Sequence, residues 1–209
     1  MDDIIKNIKD MKSVLVVGCN GCVGIHKMGG EKQAEELASL LKLSDAFKGT
    51  DFKADDTTVI RQCDPSIIKE ALGEVAPGYD AVLSMACGAG VQVLADVLED
   101  MPVFPAMDTT FIGIESRDEA MLYERCVACG NCILDQTGGI CPVTRCPKSD
   151  MNGPCGGLYN GKCETDRNRD CAWVLIYNKL KKTGQLDLNR TIKAPKDFSK
   201  RTHPRSQEV

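Results

Sequence analysis

The chain has 209 residues, 43 % hydrophobic and 27 % charged, with a formal charge of −4. These values describe a folded globular chain of one ordinary domain or two small ones and exclude a disordered chain. Aromatic residues at 5 % leave little for stacking on single-stranded nucleic acid, and the acidic balance argues against a nucleic-acid binder. No apolar run reaches the ~20 residues of a membrane span, and the length falls short of the roughly 250 residues of a (β/α)8 barrel. The polar start, MDDIIKNIKDMK, does not read as a signal peptide, so a cytoplasmic location is expected.

The first half predicts alternating strands and helices. The apolar run Val14–Val17 reads as a buried strand. Across 31–43, Ala34, Leu37, Leu40 and Leu41 recur at helical spacing. The stretch 44–56 is polar and gives no assignment, and the β-branched stretch 57–61 reads as a second strand. Asp64-Pro65 is a helix start, with Ile67, Ile68, Ala71 and Leu72 as its buried face. A third strand at 81–85 and a third helix at 91–98 follow, with weaker strand candidates at 102–104 and 111–114. Such alternation predicts an α/β fold with a small parallel, Rossmann-like sheet.

The second half shows almost no regular period between Cys126 and Asp170. One amphipathic helix follows, with Trp173, Ile176, Tyr177 and Leu180 on one face, Asp170 as its cap and Gly184 as its end. The charge also breaks here. Residues 1–125 hold 12 Lys/Arg and 22 Asp/Glu, residues 126–209 hold 14 and 8. The expected division is therefore an α/β domain over 1–122, a cysteine-rich domain over 123–184 and a basic, extended docking arm over 185–209. A polar tail of that kind wraps a partner with charge steering the encounter, or stays solvated.

Twelve cysteines dominate the chemistry, eight of them in the 46 residues from Cys126 to Cys171. In a reducing compartment, thiolates held by a metal or cluster are the stronger reading than disulfides. In the first half, Cys19, Cys63 and Cys87 each close a predicted strand, and Cys22 lies three residues beyond Cys19. Ligands of open parallel sheets bind outside the carboxyl ends of the strands. Four thiols from three strand ends therefore suit one [4Fe–4S] cube or one zinc ion, against the alternative of small buried hydrophobes. His26 is a further possible ligand, or a solvated loop residue. Gly18, Gly21 and Gly24 follow the first strand, but their spacing departs from the dinucleotide fingerprint and two cysteines occupy the turn. Gly29-Gly30 offers backbone N–H groups to an anion or a cluster.

In the second half, CVACGNC places Cys126, Cys129 and Cys132 at the repeated spacing that wraps three corners of an iron–sulfur cube. Cys141 and Cys146 each precede proline, and Cys155, Cys163 and Cys171 lie among glycines. The grouping of these later cysteines stays open, as does structural zinc at one site. The segment has too little apolar surface to fold unaided, so its metal is expected to staple it.

The motifs TGGICPVTRCPK, NGPCGG, GKCE and CAW within 126–184 resemble the C-terminal domain associated with methylenetetrahydrofolate reductase. The upstream VLVVGCNGCVGIHKMGGEKQ, RQCDP, YDAVLSMACGAGVQ and DTTFIG resemble the separate small subunit of the two-subunit reductase of acetogenic bacteria. In that family the position of His26 often holds cysteine, so the ligand set of the first loop stays open. The resemblance implies an iron–sulfur subunit, also discussed as zinc-containing, beside a flavin-bearing barrel subunit that reduces the folate-bound methylene group. It implies no flavin and no folate site on this chain, while the twelve cysteines, taken in fours, give two or three [4Fe–4S] clusters, and composition and hydropathy give no nucleic acid and no membrane insertion. A zinc-stapled assembly module without redox role is the alternative.

Overall fold

The structure, a computed structural model, describes residues 1–116, 118, 119, 121–201 and 203–205. The chain forms two compact units, Met1–Thr109 and Thr110–Val209.

The first unit is α/β. Helix α1 (Asp2–Ile8) leads into β1 (Ser13–Cys19), followed by the single turn α2 (Cys22–Ile25), α3 (Glu31–Leu43), β2 (Lys53–Val59), α4 (Pro65–Leu72), β3 (Ala81–Met85), α5 (Gly88–Val97) and β4 (Val103–Pro105). The four strands are parallel in the order β2-β1-β3-β4. Period-two alternation sorts the β1 side chains between two cores. Val14 and Val16 join Ile8, Ala34, Leu37, Ala38, Leu41 and Leu83 on one face. Leu15 and Val17 join Val59, Ile68, Leu72, Val82 and Leu94 on the other. Each such fully buried aliphatic side chain contributes about 1.5–3 kcal/mol, so the sheet is the rigid frame on which the loops at its carboxyl edge sit.

Several expectations are corrected. The second strand runs over Lys53–Val59, not 57–61. It is an edge strand in which only Ala54 and Val59 are buried, so its polar start carries no apolar period. The unassigned stretch thus holds a 3₁₀ turn at Asp45–Phe47 and the start of β2. In α3, Ala38 is buried and Leu40 is exposed. The third helix begins at Gly88 rather than at 91. The Asp64 cap is as expected: its carboxylate accepts from the Ser66 and Ile67 N–H groups at 3.1 and 3.5 Å.

The second unit opens with an antiparallel hairpin, β5 (Ile112–Ser116) and β6 (Met121–Cys126). The strand expected at 111–114 therefore belongs to this hairpin, not to the parallel sheet, and the composition break near residue 125 lies inside β6. A 3₁₀ turn at Leu134–Gln136, the single turn α6 (Pro142–Arg145) and α7 (Ala172–Lys182) follow. Trp173, Ile176 and Leu180 of α7 form the core of this unit with Cys171, Ile140 and Leu158. Tyr177 is exposed, one position off the buried stripe. Cys171, not Asp170, occupies the cap position, because the Asp170 carboxylate pairs with Lys162 at 2.7 Å instead. Gly184 follows the helix with φ +69°. Among the described residues no helix is long and apolar enough to cross a membrane.

Candidate functional site

The carboxyl edge of the sheet carries Cys19, Cys22, Cys63 and Cys87. Cys19 is the last residue of β1, and Cys22 starts α2. Cys63 lies four residues beyond the end of β2, not at it, and Cys87 caps α5 two residues beyond β3. Because β1 lies between β2 and β3, all four thiols stem from adjacent strand ends. Cys19 is buried, Cys87 half-buried, and Cys22 and Cys63 are exposed. His26 closes α2, its N–H donating to the Cys22 carbonyl at 3.1 Å. One helical turn places Cys22 and His26 on the same side. The His26 Nδ1 is buried and has no hydrogen-bond partner among the described residues. A buried imidazole nitrogen without a partner is unusual and suits a ligand atom. Gly24 has a packing role: a Cβ there would stand 2.7 Å from the Cys19 carbonyl oxygen. This glycine seats α2 on the strand end rather than cradling a phosphate.

The residue that sequence reading missed here is Gln62, which is fully buried. Its Nε2 donates to the Val17 carbonyl at 2.8 Å, and its Oε1 accepts from the Ser84 hydroxyl at 2.6 Å. Its backbone N–H points at the Cys19 Sγ from 3.5 Å. Gln62 therefore ties the loop carrying Cys63 to the ends of β1 and β3, and supplies an N–H···S contact of the kind that stabilises thiolates. Only its position before Cys63 marked it in the sequence. Asn20 adds a second tie, its Oδ1 accepting from the Glu31 N–H at the start of α3 at 3.2 Å.

In the second unit four thiols line one cavity, and the other four lie along the chain from the end of β6 to the start of α6. Cys126 ends β6, and Cys129 and Cys132 follow in a loop with left-handed backbone at Ala128 (φ 50°) and Gly130 (φ 72°). That turn aims the Ala128 N–H at the Cys126 Sγ from 3.3 Å. The Cys129 thiol lies below the ordinary thiol range, chiefly through its contact with the Asn131 backbone and also, against burial, through the Lys196 ammonium. Cys141 caps α6, whose Thr144 hydroxyl donates to the Arg125 carbonyl at 3.1 Å. α6 is thereby fastened beside the strand end that bears Cys126.

Cys146, Cys155, Cys163 and Cys171 line one cavity of about 20 Å³, closed on one side by Trp173. Backbone hydrogen bonds fix the segments that carry Cys155, Cys163 and Cys171. The Cys163 N–H donates to the Arg169 carbonyl at 2.9 Å, the Cys171 N–H to the Gly161 carbonyl at 2.8 Å, and the Leu158 N–H to the Cys155 carbonyl at 3.2 Å. The Trp173 indole N–H reaches the Asp150 carbonyl at 2.7 Å. The Cys163 thiol is held below its ordinary range, first by the Thr165 hydroxyl. The Glu164 carboxylate, paired with Lys148, lies 3.4 Å from the Cys155 Sγ.

The donor sets in all three places are soft thiols backed by N–H groups, which fits iron–sulfur clusters or zinc. Among the described residues, no three His, Cys, Asp or Glu side chains close to the spacing of a single metal ion. All twelve cysteines are free thiols.

Residues 104–199 match the family described as "Methylene-tetrahydrofolate reductase C terminal". The match covers less than half of the chain and is a similarity to a domain named for methylenetetrahydrofolate reductase. It spans the eight cysteines from Cys126 to Cys171, whereas Cys19, Cys22, Cys63 and Cys87 lie ahead of it. Neither curated proteins nor solved structures give a significant match.

Proposed function

We propose that the chain is the electron-transfer subunit of a methylenetetrahydrofolate reductase, and that it passes electrons through [4Fe–4S] clusters to the flavin of a barrel-fold partner, which reduces methylenetetrahydrofolate to methyltetrahydrofolate. The observation that carries this reading is the concentration of eight cysteines, Cys126 to Cys171, in the stretch that matches the reductase-associated family, four of them lining one cavity. Four thiolates are the usual ligand complement of a cube. The CVACGNC loop beside Cys141 and the four thiols on the sheet edge provide two further sets of four, with His26 beside the second. On this reading the clusters supply one-electron chemistry when bound. The protein's residues hold them, donate N–H groups to their sulfurs and set their exposure.

One observation favours zinc at one site. The cavity lined by Cys146, Cys155, Cys163 and Cys171 has the volume of about one water molecule, nearer the size of a single ion than of a cube, although its thiols do not stand at single-ion spacing in this arrangement. The two readings separate in one experiment. The chain is purified without oxygen, reduced, and mixed with the oxidised flavin-bearing partner. Bleaching of the flavin, slowed in a C126S variant, supports electron transfer. A chain that binds the partner and never reduces its flavin is the assembly module.

A further inference from the structure

We propose that the segment 190–201, together with Arg205, is an internal latch that holds the CVACGNC loop in its ligating shape, with Lys196 as the positioning residue facing Cys129. The inference rests on the reading that Cys126, Cys129 and Cys132 are ligands.

The loop fixes itself only through two weak contacts to sulfur, Ala128 N–H to the Cys126 Sγ and the Cys129 Sγ to the Asn131 carbonyl. Seven residues with two left-handed backbone positions and almost no apolar side chains bury little surface. Its polar groups must be met from outside, and the groups that meet them come from more than sixty residues later in the chain. The Lys196 ammonium hydrogen-bonds the Asn131 carbonyl and stands 3.4 Å from the Cys129 Sγ. The Arg205 Nη1 donates to the Ala128 carbonyl and to the Lys200 carbonyl, both at 3.1 Å. The backbone of the arm passes so close that a Cβ on Gly130 would lie 3.1 Å from the Lys200 carbonyl oxygen.

The latch is anchored upstream as well. Asn152 clamps Lys193 from both sides: its Oδ1 accepts from the Lys193 N–H at 2.7 Å, and its Nδ2 donates to the Lys193 carbonyl at 3.0 Å. The Lys193 ammonium lies 5.3 Å over the Trp173 ring, a cation–π contact. The arm thus runs from the core of the second unit to the loop and delivers two cations to it.

Cations are the donors that a thiolate loop calls for. Three thiolates and a cube carry net negative charge, and a charge-assisted bond to a ligand sulfur stabilises it more than a neutral one does. A guanidinium and an ammonium that also grip the backbone carbonyls of Ala128 and Asn131 fix the turn that aims the sulfurs.

The test uses the full chain with whatever metal it holds and four variants, K196M, K196R, R205M and, as the control for the ligand reading, C129S. Two readouts are taken: the rate of metal loss from the loop to a chelator, and hydrogen exchange of residues 126–132. Expected are a rise of about tenfold in both for K196M and for R205M, the equivalent of one charge-assisted bond, with K196R close to the parent. Exchange in α7 stays unchanged, which excludes general unfolding. Parent-like rates in both K196M and R205M overturn the latch. A C129S chain that keeps its full metal content shows instead that the loop holds no metal. The ligand reading then falls, and hydrogen exchange in K196M alone supports or overturns the latch.

Discussion

Replacing Gln62 by leucine isolates the tie that sets the first thiol cluster. The side chain is fully buried and of similar size to leucine, so packing changes little. What is lost is the donation to the Val17 carbonyl at 2.8 Å and the acceptance from Ser84 at 2.6 Å. Two hydrogen bonds at about 1 kcal/mol each, plus about 1 kcal/mol or more for a Ser84 hydroxyl left buried and unpaired, give a loss of about 3 kcal/mol. For a unit of this size, about 4 °C per kcal/mol converts that to a fall of about 12 °C in Tm. Far-UV circular dichroism follows the sheet, while fluorescence follows the second unit, because Trp173 is the chain's one tryptophan. The Q62L transition is expected to drop in the first signal and not in the second. In a double-mutant cycle S84A is expected to recover about 1–2 kcal/mol, since it removes the orphaned hydroxyl. A Q62L chain within about 0.5 kcal/mol of the parent, or strict additivity with S84A, would refute the reasoning.

Three further outcomes are expected. Stripping metal from the second unit shifts Trp173 emission to the red and exposes 146–171 to protease, because metal-binding energy there is folding energy; unchanged emission and protection count against a metal staple. A C155S/C163S variant loses the metal of one four-thiol cavity while the Cys19, Cys22, Cys63 and Cys87 site keeps its own, read by metal analysis on each variant. Asp80 accepts from the Lys12 and Ser13 N–H groups at 2.7 and 2.8 Å, which holds its carboxyl below the usual range. Its contribution is therefore present above the unfolded value near about 3.9 and lost as pH falls through the lower folded value. The stability difference between the parent and D80N is expected to shrink between pH 6 and pH 3 in urea unfolding, and a difference that grows would reverse the sign.

Where a residue's role followed from its own chemistry or period, the sequence was sufficient. Val14 to Val17, the Asp64-Pro65 start and the spacing of Ala34 and Leu37 describe local structure that tertiary packing then keeps. Cys19 at the end of β1 was legible from the apolar run before it, whereas Cys63 and Cys87 lie in the loops beyond β2 and β3 rather than at the strand ends. What escaped was set by contacts far away in sequence. Strand β2 is an edge strand with two buried side chains, so its polar residues show no alternation. Gln62 reads as a loop amide until Val17 and Ser84 are seen on either side of it. Tyr177 fits the helical stripe of α7, but the core of the second unit ends at Ile176 and Leu180. The basic tail reads as an extended arm from composition alone, whereas Lys193, Lys196 and Arg205 make contacts with Asn152 and with the 128–131 turn. No local signal encodes those partners. Residues 202 and 206–209 of that arm lie outside the described residues.

The central claim is that the thiols hold redox-active clusters. Iron, zinc and acid-labile sulfide are measured on the full chain purified without oxygen, together with its visible and electron paramagnetic resonance spectra before and after reduction. The account predicts iron and sulfide in equal amounts, about eight to twelve of each per chain for two or three cubes, with visible absorbance that bleaches and a paramagnetic signal that emerges on reduction. Zinc without iron or sulfide, and no spectral change on reduction, would contradict it.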